Sequence, residues 1–187
     1  MKTVSSIILI LAFSCAFLFS QSAVRAERVK SPAVAADDAT YKGEKVVKTK
    51  AQWRRLLTRE QYIVTRESGT ERPYTSRLLK SKAKGTYHCV SCNLALFSSA
   101  HKYDSQTGWP SFYQPIAASH VTEAEDRSSP MEVRTEVLCS RCNAHLGHVF
   151  TDGPQPTGLR YCMNGVALKF APAGGKALAK SAARNSR

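Results

Sequence analysis

Cys89-Val90-Ser91-Cys92-Asn93 and Cys139-Ser140-Arg141-Cys142-Asn143 are the two stretches that decide the fold of this 187-residue chain. Each places two thiols three positions apart, then an asparagine and a short apolar run: Leu94 to Phe97 after the first, Ala144 to Phe150 after the second. They read as equivalent knuckles on two hairpins. Four thiolates at this spacing suit a closed tetrahedral zinc shell, with Cys89, Cys92, Cys139 and Cys142 as ligands. Such an ion is structural, since four protein ligands leave zinc no open position for water. Two disulfides are the other reading, open to a chain in an oxidising compartment.

Short strand-like runs surround the knuckles: Thr86 to Val90, Leu94 to Phe97, Met131 to Leu138, His145 to Phe150, Tyr161 to Met163 and Val166 to Phe170. In Met131 to Leu138, the apolar Met131, Val133 and Val137 alternate with Glu132, Arg134 and Glu136, the pattern of a half-buried strand. Gly108, Pro110, Pro115, Gly153-Pro154 and Pro156 punctuate the loops. Upstream the period is helical. Trp53, Leu56 and Leu57 share one helical face, and Thr58-Arg59-Glu60-Gln61 matches a capping box that starts a second short helix through Val64. The expected fold is mostly β, largely antiparallel, with helices at its N-terminal end.

The ends differ in composition from this body. Met1-Lys2 and the apolar run Val4 to Phe19, followed by small residues around Ala23 and Ala26, predict a signal peptide over residues 1–26 and hence an exported protein, periplasmic or secreted. A retained signal anchor and a lipoprotein acylated at Cys15 are the alternatives; the bulky Phe13 argues against the second. Residues 27–47 read as a flexible linker, 48–171 as the folded domain and 172–187 as a basic disordered tail. The chain carries a formal charge of +13, and loss of Lys2 and Arg25 with the leader lowers it to +11. No aromatic residues interleave with the tail charges as a nucleic-acid stacking platform requires, so no nucleic-acid partner is expected and the charge reads as a solubility feature.

Cys162, in Arg160-Tyr161-Cys162-Met163-Asn164, is the thiol that the knuckles and the leader leave unexplained. Beside a guanidinium, which favours thiolate, it is a nucleophile candidate; as a free cysteine it could equally be a small buried hydrophobe. Trp109 lies in a turn-rich loop, His145 and His148 on a strand-like run, and Asn164 two residues beyond Cys162, where it shares the thiol's face if the strand continues.

Taken together, Tyr103-Asp104-Ser105, Gly108-Trp109-Pro110-Ser111-Phe112, His145-Leu146-Gly147-His148-Val149-Phe150, Asp152-Gly153-Pro154 and Arg160-Tyr161-Cys162-Met163-Asn164 resemble the methionine-R-sulfoxide reductases, or B-type methionine sulfoxide reductases, across about residues 61–170. The resemblance implies two small antiparallel sheets around a structural zinc, and thiol-dependent reduction of the R epimer of peptide-bound methionine sulfoxide. It implies Cys162 as a nucleophile passing through a sulfenic acid, and His145 or His148 as proton donor. It further implies support of the thiolate by Arg160, orientation of the polar end by Asn164, and Trp109 with Phe150 as substrate-binding residues. The implied partners are oxidised methionine in proteins or peptides and a thioredoxin-like or small-thiol reductant, acting on a monomer. Two positions depart from the pattern. Thr107 stands where many members carry a resolving cysteine, and Gly165 where a serine is frequent, a change not expected to matter much. A non-catalytic zinc-ribbon-like binding module is the alternative; it leaves Cys162, Trp109 and the histidines without a task.

Overall fold

Thr49 and Thr58 each start a helix in the same way. The computed structural model describes residues 40–130 and 132–174, so the expected leader, most of the linker, nearly all of the tail and Met131 lie outside the described residues. Helices α1 (Lys50–Leu56) and α2 (Arg59–Arg66) both open with a capping box: the threonine hydroxyl accepts from the N3 backbone N–H, and the N3 glutamine (Gln52 or Gln61) reaches back to the cap. Trp53 turns inward. Leu57 is buried at the C-cap of α1, whereas Leu56 is 61% exposed, so the apolar face expected to hold all three is narrower than the sequence suggested.

Nine strands follow among the described residues, β1 (Gly85–Cys89), β2 (Ala95–Ser98), β3 (Lys102–Tyr103), β4 (Ser111–Phe112), β5 (Val121–Asp126), β6 (Arg134–Cys139), β7 (His145–Phe150), β8 (Arg160–Met163) and β9 (Leu168–Pro172). All pair antiparallel, in a three-stranded sheet of order β2-β1-β9 and a six-stranded sheet of order β3-β4-β8-β7-β6-β5. Aromatic side chains join the two sheets. Phe97 of β2 stacks on Phe112 of β4 with centroids 4.5 Å apart, and Tyr87 of β1 meets Phe112 edge-on at 4.9 Å. Each of these rings is fully buried, the geometry in which aromatic pairs add to area burial.

Three expectations change at the strand ends. Val133 is 57% exposed and precedes β6, whose inward residues are Val137 and Cys139; the alternation is real but starts later than the sequence suggested. Gly165–Ala167 form a 3₁₀ turn, so the last strand begins at Leu168 and not at Val166. The folded body also begins before residue 48. Val46 N–H donates to Arg141 O at 2.8 Å, Lys45 Nζ to Ser140 O at 2.6 Å, and Tyr41 meets His120, so the last residues assigned to a flexible linker pack on the second knuckle.

Candidate active site and metal centre

The two knuckles have the same backbone. In each, the first cysteine's N–H donates to the residue five ahead (Cys89 to Leu94 O, Cys139 to Ala144 O), and an asparagine at positive φ donates back to that cysteine's carbonyl. Asn93 and Asn143 hold φ of 64° and 57°, a region asparagine tolerates better than most residues. The four sulfurs lie within 4.8 Å of one another, with Cys89 to Cys142 at 3.7 Å and Cys92 to Cys139 at 3.5 Å. A tetrahedron of ~2.3 Å zinc–sulfur bonds has edges of ~3.8 Å, so the cluster fits zinc. All four thiols are free, and each short approach crosses between knuckles. The four cysteines thus form a structural zinc site. Cys89 ends β1 and Cys139 ends β6, so the centre pins one sheet to the other.

Arg66 of α2 reaches this centre. Its Nη2 donates to Cys142 Sγ at 3.3 Å and Nη1 to Cys142 O at 2.8 Å, while its guanidinium lies 4.0 Å over the Trp53 ring. Hydrogen bonds from Cys139, Cys89 and Cys92, with Arg66 adding to them, hold the Cys142 thiol well below the ordinary cysteine range. This is the charge state a metal ligand needs.

On β8, Tyr161 and Met163 point into the core while Arg160 and Cys162 share the opposite, partly open face. Cys162 pairs in register with Ser111 of β4 on one side and His148 of β7 on the other. Register partners share a face, so the thiol is flanked by a hydroxyl and an imidazole. Its sulfur lies 3.7 Å from Thr107 Oγ1. Thr107 Oγ1 is 2.9 Å from Ser105 Oγ, which is 2.7 Å from Ser111 Oγ, and Ser111 donates to Trp109 O at 3.2 Å. Because a carbonyl can only accept, the protons of this hydroxyl chain run toward Trp109, and Thr107 presents lone pairs to Cys162.

His145 and His148 are three residues apart, which in a regular strand puts them on opposite faces. A bulge prevents this. Val137 pairs with Gly147 and Leu138 with His145, so β7 spends two steps where β6 spends one. Both histidines therefore emerge on the face of Cys162, with ring centroids 5.4 Å apart. A Cβ on Gly147 would collide with the Cys162 carbonyl and lie 3.0 Å from Met163 Cα, so only glycine lets β7 and β8 close at this point. His145 is 3% exposed, with Nδ1 2.5 Å from Glu136 Oε1. Its Nε2 is buried without a partner among the described residues. Burial lowers its pKa against the opposing pull of Glu136, so the ring is neutral near neutral pH. His148 Nε2 lies 2.8 Å from Asp126 Oδ2, which also accepts from Arg134 at 2.8 Å. Hydrogen bonds from Ser128 above all, then from His148 and Arg134, hold Asp126 far below the usual carboxylate range.

Arg160 shares the face of Cys162 on β8 without a direct hydrogen bond to the thiol. Its guanidinium makes a two-pronged pair with Asp152, 2.8 Å on each prong, and lies 4.2 Å from the Phe150 ring, its register neighbour. It acts on Cys162 as a charge two residues along the same strand face. Asn164 departs from expectation. The strand ends at Met163, and the buried Asn164 amide accepts from Glu71 N–H at 2.9 Å and donates to Leu146 O at 3.2 Å. Trp109 is partly exposed, its indole N–H donating to Glu71 O at 3.1 Å. Tyr103, Thr107, Asp152 and Arg160 line a hollow of about 390 Å³ beside the thiol. Glu136, Asp126, Asp152 and Glu71 are site residues that sequence reasoning missed. Glu136 carried a signal in its alternation with Val137, which sets its face, and Asp152 stood in the quoted Asp152-Gly153-Pro154 stretch without being given a role.

The SelR domain profile matches residues 57–172. The chain is a SelR-domain protein of the MsrB family. It is 55% identical over 132 residues to the peptide methionine sulfoxide reductase MsrB of Pseudomonas putida strain W619, covering 71% of this chain and 98% of that protein. It is 55% identical over 134 residues to the MsrB of Hahella chejuensis (72% and 96%) and 54% identical over 125 residues to that of Leptospira interrogans (67% and 95%). A zinc-ribbon-like binding module without catalysis is thereby set aside. The SelR match begins at Leu57, yet this member of the family builds α1 into the same core through Trp53, Arg66 and Cys142.

Proposed function

We propose that the chain reduces the R epimer of peptide-bound methionine sulfoxide to methionine with Cys162 as the nucleophile. The observation that carries the reading is the placement of Cys162 in register between Ser111 and His148 on the open face of the larger sheet, in an MsrB-family chain. The Cys162 sulfur attacks the sulfoxide sulfur, and the sulfur–oxygen bond breaks with two electrons reducing the substrate. Sulfoxide plus thiol gives methionine plus a Cys162 sulfenic acid, and two external thiols return that to thiol with release of water and a disulfide. The departing oxygen needs a proton. His148 is the better donor of the pair. It pairs in register with Cys162 and is oriented by an ionised Asp126, whereas burial keeps His145 neutral.

Trp109 and Phe150 supply aromatic surface at the substrate end, and Arg160 with Asp152 fixes the floor of the hollow. Thr107 offers no second thiol, and the other described cysteines belong to the zinc shell, which supports direct regeneration by a thioredoxin-like or small thiol. The N-terminal apolar run supports export, and we read the protein as a monomer. No helix among the described residues is long and apolar enough to cross a membrane.

An assay with each methionyl sulfoxide epimer tests the reading. The R epimer should be reduced and the S epimer not, and Cys162→Ser should abolish turnover while keeping zinc. With excess substrate and no reductant, the protein should release one equivalent of methionine and then react at Cys162 with a sulfenic-acid reagent. A disulfide from Cys162 to a zinc ligand, formed with loss of metal, would refute the direct-regeneration route.

A further inference from the structure

Glu71 is a buried acid to which the chemistry above gives no role. It lies in the loop after α2, is 6% exposed, and uses all four of its polar groups. Its carboxylate accepts from two consecutive backbone N–H groups, Oε1 from Gly165 at 2.5 Å and Oε2 from Val166 at 2.9 Å. These are the first residues of the 3₁₀ turn that follows β8. Its own N–H donates to Asn164 Oδ1 at 2.9 Å, and its carbonyl accepts the Trp109 indole N–H at 3.1 Å. One residue therefore holds the chain just beyond Cys162 on one side and the partly exposed aromatic ring on the other.

This arrangement is costly for a scaffold contact. Burial is the first influence on the Glu71 carboxyl and pushes its pKa up, the two backbone donors oppose it, and Glu60 adds a like charge. No cation is among those influences. The turn is shaped to receive the carboxylate. A Cβ on Gly165 would lie 3.3 Å from Glu71 Oε1 and 2.6 Å from Ser76 Cβ, so the chain presents bare backbone under the acid.

Building on the proposed sulfoxide reduction, we infer that Glu71 is a positioning residue for it: its carbonyl fixes the Trp109 ring and its carboxylate fixes the turn after Cys162, so that aromatic wall and nucleophile keep one spacing. Displacing the aromatic wall weakens substrate binding first, because Cys162 and His148 remain placed by the pairing of β8 with β7.

The test is a double-mutant cycle on KM and kcat with an R-sulfoxide peptide and saturating reductant. Glu71→Gln turns an amide N–H toward a backbone N–H, and Trp109→Phe keeps a ring but removes the indole donor. Each should raise KM by about tenfold, the effect of one lost hydrogen bond, with kcat within about threefold of wild type. The double mutant should be no worse than the weaker single mutant, because each breaks one end of the same bridge between the Trp109 ring and the turn after Cys162. Zinc content and Cys162 alkylation check the fold. Wild-type KM in either single mutant, or effects that multiply in the double mutant, would overturn the inference. Should Glu71→Gln fail to fold, Glu71→Asp decides: its shorter side chain cannot span the Gly165 and Val166 N–H groups, so a KM rise of about tenfold supports the connection and an unchanged KM refutes it. Wild-type protein inactive toward the R epimer would instead defeat the proposed function itself, a distinct outcome.

Discussion

A serine at position 165 would bring its Cβ within 2.6 Å of Ser76 Cβ, which already occupies that space. The departure from the family's frequent serine, read from sequence as harmless, is therefore matched by a second residue 89 positions upstream. Gly165→Ser should cost about 1–3 kcal/mol by overpacking, and Ser76→Gly in the same chain should restore most of it; urea midpoints of the four proteins check this. The buried histidine gives a pH signature. His145 has its pKa lowered in the folded protein, so the unfolded chain binds more protons as pH falls below about 6.5. Stability from this group is complete above that value and declines toward acid. The wild-type urea midpoint should fall between pH 7.5 and 5.5 by more than that of His145→Asn. Equal slopes would show that His145 does not titrate differently on unfolding.

Local patterns were legible where a short stretch specifies its own hydrogen bonds. The capping box at Thr58 and Gln61 could be read directly, and the same pattern at Thr49 and Gln52 shows that the rule had a second instance upstream. The knuckles were legible for the same reason. The bulge in β7 was not, because a lone glycine in a strand does not say which register it serves; only its approach to the Cys162 carbonyl does. Strand β5 escaped because Val121-Thr122-Glu123-Ala124-Glu125-Asp126 has its β formers, Val121 and Thr122, only at its start and is held by pairing with β6. Glu71 was invisible because its partners lie 38 to 95 residues away. For the metal element, Cys139→Ser should release zinc and unfold the domain, since structural zinc contributes on the order of 10 kcal/mol to folding. A folded, zinc-free Cys139→Ser protein would show that the sheets hold without the metal.

Across the molecule, β1 is the centre of its sheet, and one of its two neighbours is β9, the last strand. The register from Gly85 opposite Pro172 to Cys89 opposite Leu168 spans the whole of β1. A chain ending at Asn164 retains Cys162, both histidines and all four zinc ligands, yet exposes β1 as an edge and loses Leu168 and Phe170 from the interior. It should be inactive and quickly digested by protease, whereas a chain ending at Gly174 should match the full protein in both measurements.

That pairing of β1 with β9 also has a consequence in time. β9 follows β1 and every other described strand, so the smaller sheet cannot close until all of the described strands have been made, and the carboxylate of Glu71 cannot find Gly165 and Val166 until β8 has been made. A nascent chain stalled anywhere before Leu168 lacks the third strand of the smaller sheet and leaves β1 without one of its two partners.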